Sequence, residues 1–415
     1  MKSNCLLVEP RALPEGWQWV RLGDVCELNP RRPNLERSPE APTSFVQMSS
    51  VDDISGTITT VETKTYKEVS KGYTYFANGD VLFAKITPCM QNGKHAIASN
   101  LIGGFGFGST EFHVIRPKGE ITADWIHRFV RQPWVLQGAI AHFTGAVGQQ
   151  RVPASYLSGL QIPLPPLAEQ KRIAKILNEQ MEAIERARAA TEAQLGAAKA
   201  LPAAYLREVF DGPEAKTWPK VRLGEVCEIN PRRPDLKRSP ETSTTFVQMS
   251  AVDDRTGAII RPEIKNYQEV RKGYTFFAEG DIIFAKITPC MQNGKHAIAR
   301  NLIDGIGFGS TEFHVIHPKV EINAEWIHNF VRQPWVLQEA MAHFTGAVGQ
   351  QRVPASYLSE LEIPLPPLSE QKRIASILNE RMESVEHIKT ALEVRLEITN
   401  KLPAALLRRA FNGEL

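Results

Sequence analysis

Residues 144–151 read Thr144-Gly-Ala-Val-Gly-Gln149-Gln150-Arg151, two side-chain amides and an arginine bracketed by glycines. In a DNA major groove, amides pair bidentately with adenine, and arginine or lysine with guanine. Polar side chains on a glycine-freed loop are therefore where base reading would sit; the competing reading is a solvated turn before a final strand. Residues 87–95 offer Gln91, Asn92, Lys94 and His95, and Asn92-Gly93 between Ile86 and Ile97 predicts a type I′ hairpin turn. That turn alone would also explain the Asn-Gly pair. Lys85 follows the apolar run 81–84, and Arg31-Arg32 lies between Pro30 and Pro33. Both are candidate phosphate clamps, which orient a duplex without reading it, with plain surface charge as the alternative. Ser109, Thr110 and Glu111 could accept from cytosine or simply form a satisfied turn.

Every one of these groups occurs twice. The second set is Thr345, Gln350, Gln351 and Arg352; Gln292, Asn293, Lys295 and His296; Lys286; and Arg232-Arg233. Cys26, Cys89, His113 and His142 return as Cys227, Cys290, His314 and His343. Phe and Val alternate around His113, which favours a buried strand histidine over a metal ligand. Glu62-x-Lys64 with Asp53 upstream, and Glu263-x-Lys265 with Asp254, are the residue set of a Mg-dependent nuclease, but short strings of this kind are common on exposed strands. Gly104-Phe-Gly-Phe-Gly108 ends in Ser109 where a dinucleotide loop needs glycine, so strand and turn is the reading. No Gly-x-x-x-x-Gly-Lys-Ser/Thr loop for ATP is present.

The elements that must position these residues come from a tandem duplication. From Val20 and Val221 to Phe210 and Phe411 the two copies align at one constant offset; residues 83–98 equal 284–299, and 142–158 equal 343–359. A repeat far longer than the roughly 20–50 residues of a solenoid implies a folded domain in each copy. From Trp17 to about Pro163, short apolar runs are broken by Gly, Pro, Asn and Asp, which predicts mixed, mainly β structure. One helix is expected where Trp125, Ile126, Phe129 and Val130 share a face, with Arg128 and Arg131 elsewhere. Pro163-Leu-Pro-Pro166 forbids helix and central strand and reads as a stiff hinge.

Beyond that hinge, residues 169–199 are rich in helix formers, with Gly196 the one breaker. Leu177, Met181, Ile184, Arg188, Thr191, Leu195 and Ala198 follow alternating steps of three and four, a coiled-coil seam. Leu378, Met382, Val385, Lys389, Leu392, Leu396 and Thr399 repeat it. The two helices most simply bury these seams on each other, the alternative being that each packs on its own domain.

Composition bounds the rest. At 415 residues, 42% hydrophobic and 23% charged, the chain is an ordinary globular one of at least two domains. A net charge of +3 leaves any polyanion to be held by local patches. The first ten residues are too briefly apolar and too soon acidic for a signal peptide, and no run of about 18 apolar residues exists. Five widely spaced cysteines without Cys-x-x-Cys point to reduced thiols, and the expected location is cytoplasmic.

The run Ile162-Pro-Leu-Pro-Pro-Leu-Ala-Glu169-Gln170-Lys171-Arg172-Ile173-Ala174, returning at 363–375, resembles the start of the conserved helices in type I restriction-modification specificity subunits. Gly-Asp80-Val-Leu-Phe-Ala-Lys85, Ser109-Thr110-Glu111-Phe112 and Ala410-Phe411-Asn412-Gly413 are placed as in that family, and the duplicated layout covers nearly the whole chain. The resemblance implies an α+β protein with two target-recognition domains, 1–163 and 213–364, and two spacer helices, 164–212 and 365–415, pairing as an antiparallel coiled coil. It further implies that each domain reads half of a split DNA site and that the helices dock two methyltransferase subunits. Restriction subunits that cut DNA would join these. S-adenosylmethionine, ATP and Mg are expected on those partners and no cofactor on this chain. Asn29-Pro30-Arg31-Arg32 lacks the second proline and the aromatic of an adenine methyltransferase motif, in keeping with a non-catalytic subunit. A stand-alone DNA-binding regulator is the alternative. Because the candidate loops recur unaltered, a palindromic or nearly palindromic target is expected. Arg255, Arg261 and Arg271, where the first copy has Ile54, Thr60 and Ser70, are expected to add phosphate grip in the second half.

Overall fold

A computed structural model describes residues 13–146, 149–347 and 351–415. The chain packs as two compact units: Met1–Ala190 with Leu396–Leu415, and Thr191–Arg395. These are called the first and second unit.

In the first unit the β-rich domain is built on two four-stranded sheets. One is antiparallel and orders Cys26–Leu28, Phe112–Pro117, Val81–Ala84 and His95–Ile97. The other orders Glu62–Thr65, Pro42–Val46, Phe105–Gly108 and Thr74–Ala77, with the middle two strands parallel. Here Gly104-Phe-Gly-Phe-Gly108 shows why its residues alternate. Phe105 and Phe107 bury in a cluster with Phe45 and Val69, while a Cβ on Gly108 would sit 2.5 Å from the Val46 carbonyl oxygen. The second unit repeats both sheets and pairs Val252–Asp253 with Ala258–Ile259, where the first has a single bridge, Val51 to Ile58.

The expected helix is Ala123–Val130, capped by Thr122 Oγ1 accepting from Trp125 N at 3.2 Å, and it buries Trp125, Ile126, Phe129 and Val130. Two short helices were not anticipated, Pro133–Ile140 and Ala154–Gly159. The proline run is more than a hinge: Gln161–Leu164 is a strand antiparallel to Gln18–Arg21, with Pro163 opposite Trp19. A two-stranded ladder has only edges, which is where a proline is tolerated in a sheet.

Two long helices follow, Leu167–Asp211 and Leu368–Phe411, running through Pro202 and Pro403. Each is bolted to its own domain by the glutamine of the Glu-Gln-Lys-Arg run. Gln170 has no exposed surface; its Nε2 donates to the carbonyls of Glu120 and Pro165, and its Oε1 accepts from Thr122 N, all at 2.9 Å. Gln371 donates to Pro366 O at 2.8 Å and accepts from Asn323 N at 3.0 Å.

The seam positions 177, 181, 184, 188, 191, 195 and 198 are buried or half-buried, as are 378, 382, 385, 389, 392, 396 and 399. In the first unit, Ile173 and Leu177 share a core with Leu406, Leu407, Ala410 and Phe411, and Phe411 lies 4.4 Å from the Trp125 ring. In the second, Ile374 and Leu378 share one with Leu206 and Phe210, the latter 4.5 Å from Trp326. Each helix start therefore packs with the other helix's end, an antiparallel pairing. This also amends the seam expectation: Leu177 and Leu378 belong to the cores of the β-rich domains as well as to the helix pair.

Cys26 and Cys227 are buried thiols pushed up to about 12 by burial. Cys5 lies outside the described residues. No helix among the described residues is long and apolar enough to cross a membrane.

Candidate nucleic-acid interface

The two candidate loops of the first unit lie side by side. Thr144 and Arg151 close the first loop by exchanging both backbone hydrogen bonds at 2.9 Å, and Gly145 takes a φ of +107°; Val147 and Gly148 lie outside the described residues. Arg151 then pairs with Ile86, Thr87 N donates to Gln150 O at 3.1 Å, and Val152 N donates to Lys85 O at 2.9 Å. Lys85 N in turn donates to Glu111 O.

A pin from below ties in the third candidate group. Asn29 adopts φ +50° and turns its amide onto the sheet, where Oδ1 accepts from Val114 N at 3.0 Å and Nδ2 donates to His113 Nδ1 at 3.1 Å. With Nδ1 accepting, Nε2 donates to Val152 O at 2.9 Å. His113 is thus the buried strand histidine expected, its pKa lowered by burial, and it joins the turn bearing Arg31 and Arg32 to the foot of the 144–151 loop. His314 does the same with Asn230 and Val353.

Glu111 does not wait for cytosine. Its carboxylate receives a forked pair from Arg151, Nε at 2.9 Å and Nη2 at 2.6 Å, and Ser109 Oγ accepts from Glu111 N in a local turn. The hydrogen-bonded guanidinium, helped by Lys85, holds Glu111 below the usual carboxylate range. Arg151 also donates to Gln149 O at 2.9 Å, so this half-exposed arginine stiffens the loop that carries the amides. Arg352 and Glu312 repeat the fork at 2.9 and 2.7 Å.

Other candidates are buried or tied to the protein itself. His95 is fully buried, stacked 4.0 Å from Phe83, with Nδ1 accepting from Ala84 N. His296 is 1% exposed. Lys94 and Lys295 donate to the carbonyls of Val51 and Val252 at 2.6 and 2.7 Å, tying the loop to the neighbouring tip. Asn92-Gly93 is no type I′ turn. Strand Val81–Ala84 pairs with His95–Ile97 through a ten-residue connection holding a cis Thr87-Pro88 bond, and of the two residues only Gly93 has positive φ. Arg32 and Arg233 donate to the Ser70 and Arg271 carbonyls. Arg255 does not face outward for phosphate but is ion-paired to Glu386.

Beside Arg32 and Arg233, the exposed candidates are Gln91, Asn92, Thr144, Gln149 and Arg31, with Gln150 half-buried. In the second unit these are Gln292, Asn293, Thr345 and Arg232, with Gln351 half-buried; Gln350 lies outside the described residues. Lys85 and Lys286 are half-buried beneath them. The nuclease string is otherwise engaged: Lys64 pairs with Glu62 at 3.4 Å and lies 4.1 Å over the Phe45 ring. Among the described residues no three His, Cys, Asp or Glu side chains are grouped to hold a metal. The pinning roles of Asn29, His113 and Gln170 had no local signal beyond polar residues set in apolar surroundings.

The surface offered is thus a pair of stiff loops carrying exposed amides above a lysine and an arginine fork, and in the second unit Gln292 Nε2 donates to Met341 Sδ at 3.1 Å. Residues 14–192 and 215–397 match the family described as the type I restriction modification DNA specificity domain. The specificity subunit of the type I restriction enzyme EcoEI from Escherichia coli is 39% identical over 174 residues, 42% of this chain and 29% of that one. The chain thus spans under a third of that relative's length. The crystal structure of an HsdS subunit from Thermoanaerobacter tengcongensis is similar at 25% identity, with a TM-score of 0.66 over 98% of this chain and 99% of that one. A chain from a structure describing assembly and conformational transition of a type I R-M system shares the fold, at 24% identity with a TM-score of 0.72 over 98% and 100% of the two chains.

Proposed function

From a chain that belongs to the family of type I restriction modification DNA specificity domains, we propose a non-catalytic subunit that reads a bipartite DNA site, one half per unit. The observation that carries this is a surface built twice: exposed Gln91 and Asn92, or Gln292 and Asn293, beside a loop closed at Thr144 and Arg151, or Thr345 and Arg352, stiffened by an arginine fork and pinned from below by a buried histidine. Exposed Gln and Asn suit adenine edges, and Lys85 and Arg31 suit phosphates.

The long helices act as the spacer and the docking platform for two methyltransferase subunits that bring S-adenosylmethionine, with restriction subunits that use ATP and Mg joining them, in the cytoplasm. Adenine inside a duplex must be flipped out before methyl transfer, and that work falls to the methyltransferase subunits. With identical reading loops on helices of opposite direction, the two half-sites form an inverted repeat. No specific observation favours a stand-alone regulator.

The test is reconstitution. The purified chain with its modification subunits methylates adenine in duplex DNA when S-adenosylmethionine is supplied, and the chain alone does not. Methyl transfer by the isolated chain, or specific methylation by the modification subunits without it, refutes the proposal.

A further inference from the structure

Each unit carries one arginine that reaches from the recognition domain to its own long helix, and the two units launch it from different positions. In the first, Arg128 Nη2 donates to Asn178 Oδ1. Its counterpart in the second is Asn329, 1% exposed, with Nδ2 buried and unpartnered. There Arg255 takes over, its Nε and Nη2 3.2 and 2.9 Å from Glu386 Oε2. The counterpart of Arg255 in the first unit is Ile54, which is 59% exposed, and the counterpart of Glu386 is Glu185, which pairs with Arg188 at 3.0 Å.

The tip that carries Arg255 is itself rigid. Arg332 donates to the carbonyls of Arg255 and Thr256 at 2.9 and 3.2 Å, and the Asp253 carboxylate accepts from Arg255 N and Thr256 Oγ1. Arg131 holds the equivalent tip through the Ile54 carbonyl at 2.6 Å. Both tips are fixed, and only the second carries a group that reaches the helix.

We propose that Arg128 and Arg255 are equivalent latches, positioning residues that hold each recognition domain against its own spacer helix and so fix the half-site separation the assembly accepts. The glutamine bolts lie in the first turn of each helix, and Ile173 and Leu177, or Ile374 and Leu378, extend the contact by apolar packing, which has no preferred direction. Asn178 and Glu386 lie ~12 and ~22 Å farther along their helices than Gln170 and Gln371, at ~1.5 Å per residue. A directional bond at that distance fixes the angle of the domain on the helix that packing alone leaves soft. The separation claim rests on the proposed reading of split sites; the latch itself does not.

Two measurements separate the two. Hydrogen exchange on the isolated full chain should show faster exchange at helix residues 376–390 in Arg255→Ile, with wild-type rates restored by adding Asn329→Arg, which copies the first unit's latch onto Asn379. Unchanged exchange in Arg255→Ile, or no restoration, overturns the latch whatever the protein binds. In the reconstituted methyltransferase, wild type and variants are compared on duplexes with the native spacer and with one base pair more or less. Arg255→Ile and Arg128→Asn should each lower the preference for the native spacer by about 2- to 5-fold, the scale of an exposed ion pair, with melting temperature and half-site preference unchanged. A double variant that keeps full spacer preference, or one that loses half-site preference in step, overturns the positioning role. A wild-type complex that methylates nothing refutes the proposed function and leaves the exchange result to stand or fall alone.

Discussion

The two units are alike where the candidate contacts are and differ at one contact between domain and helix, the arginine that reaches it. Residues 85–95, 109–113 and 142–158 are identical in the two copies, and so are their forks and pins. The domain-to-helix contacts, by contrast, use Arg128 with Asn178 in one unit and Arg255 with Glu386 in the other. A duplicated surface that must meet one kind of ligand twice is held unchanged. A rigid contact can be moved to another position if some pair still spans the gap.

The comparison breaks most readily at the shared cores. Phe411→Ala should cost the first unit about 3–5 kcal/mol and Phe210→Ala should cost the second about as much, since each ring is buried against equivalent aromatic partners. Denaturation followed by exchange in each unit separately checks this; an effect confined to one unit would show that the cores are not equivalent.

Acid should act on both units through their buried histidines. His127 is held down to about 4 and His328 to about 3, first by burial and then by the neighbouring arginine. Below the ordinary value of about 6.5 the unfolded chain therefore binds protons that the folded one refuses. Stability is complete above about 6.5 and falls as pH drops toward about 4 for His127 and about 3 for His328, on the order of 3 kcal/mol for the first and 5 for the second. Melting temperatures from pH 7 to 4 test it, and His328→Gln should flatten the decline in the second unit alone.

Gln170→Ala leaves three backbone groups without their buried partner and Gln371→Ala leaves two, so the first should cost slightly more of an expected ~1–3 kcal/mol. Equal costs measured by urea unfolding would place the extra Glu120 contact outside the energetics. The smallest change in stability is expected from Glu111→Gln and Glu312→Gln, since both arginines are half-exposed. Each should loosen one loop and weaken DNA binding to a similar degree; binding lost in one variant only would mean the two halves are read differently.

Much of the fold was legible in the chain because it rests on periodicity. The stripe Trp125, Ile126, Phe129 and Val130 is the buried face of a helix, and the seam stripes are the least exposed lines of the long helices. What escaped reading depended on partners distant in sequence. Asn92-Gly93 looks like a hairpin turn, but a ten-residue loop anchored by Lys94 on Val51 replaces it. Pro202 defies the local rules, and it is the family resemblance that carries the expected helix past it to 212, where Leu206 and Phe210 are buried. The loops were found from their polar residues, but the same composition hid that His95 fills the core and that Arg151 is already paired with Glu111.

The central claim is that one reading surface is used twice on helices of opposite direction. Sequencing the methylated bases in DNA modified by the reconstituted complex tests it most directly. The account predicts two half-sites that are inverted copies of each other, or nearly so, with one methylated adenine on each strand and an unread spacer of fixed length between them. Two unrelated half-sites would contradict it.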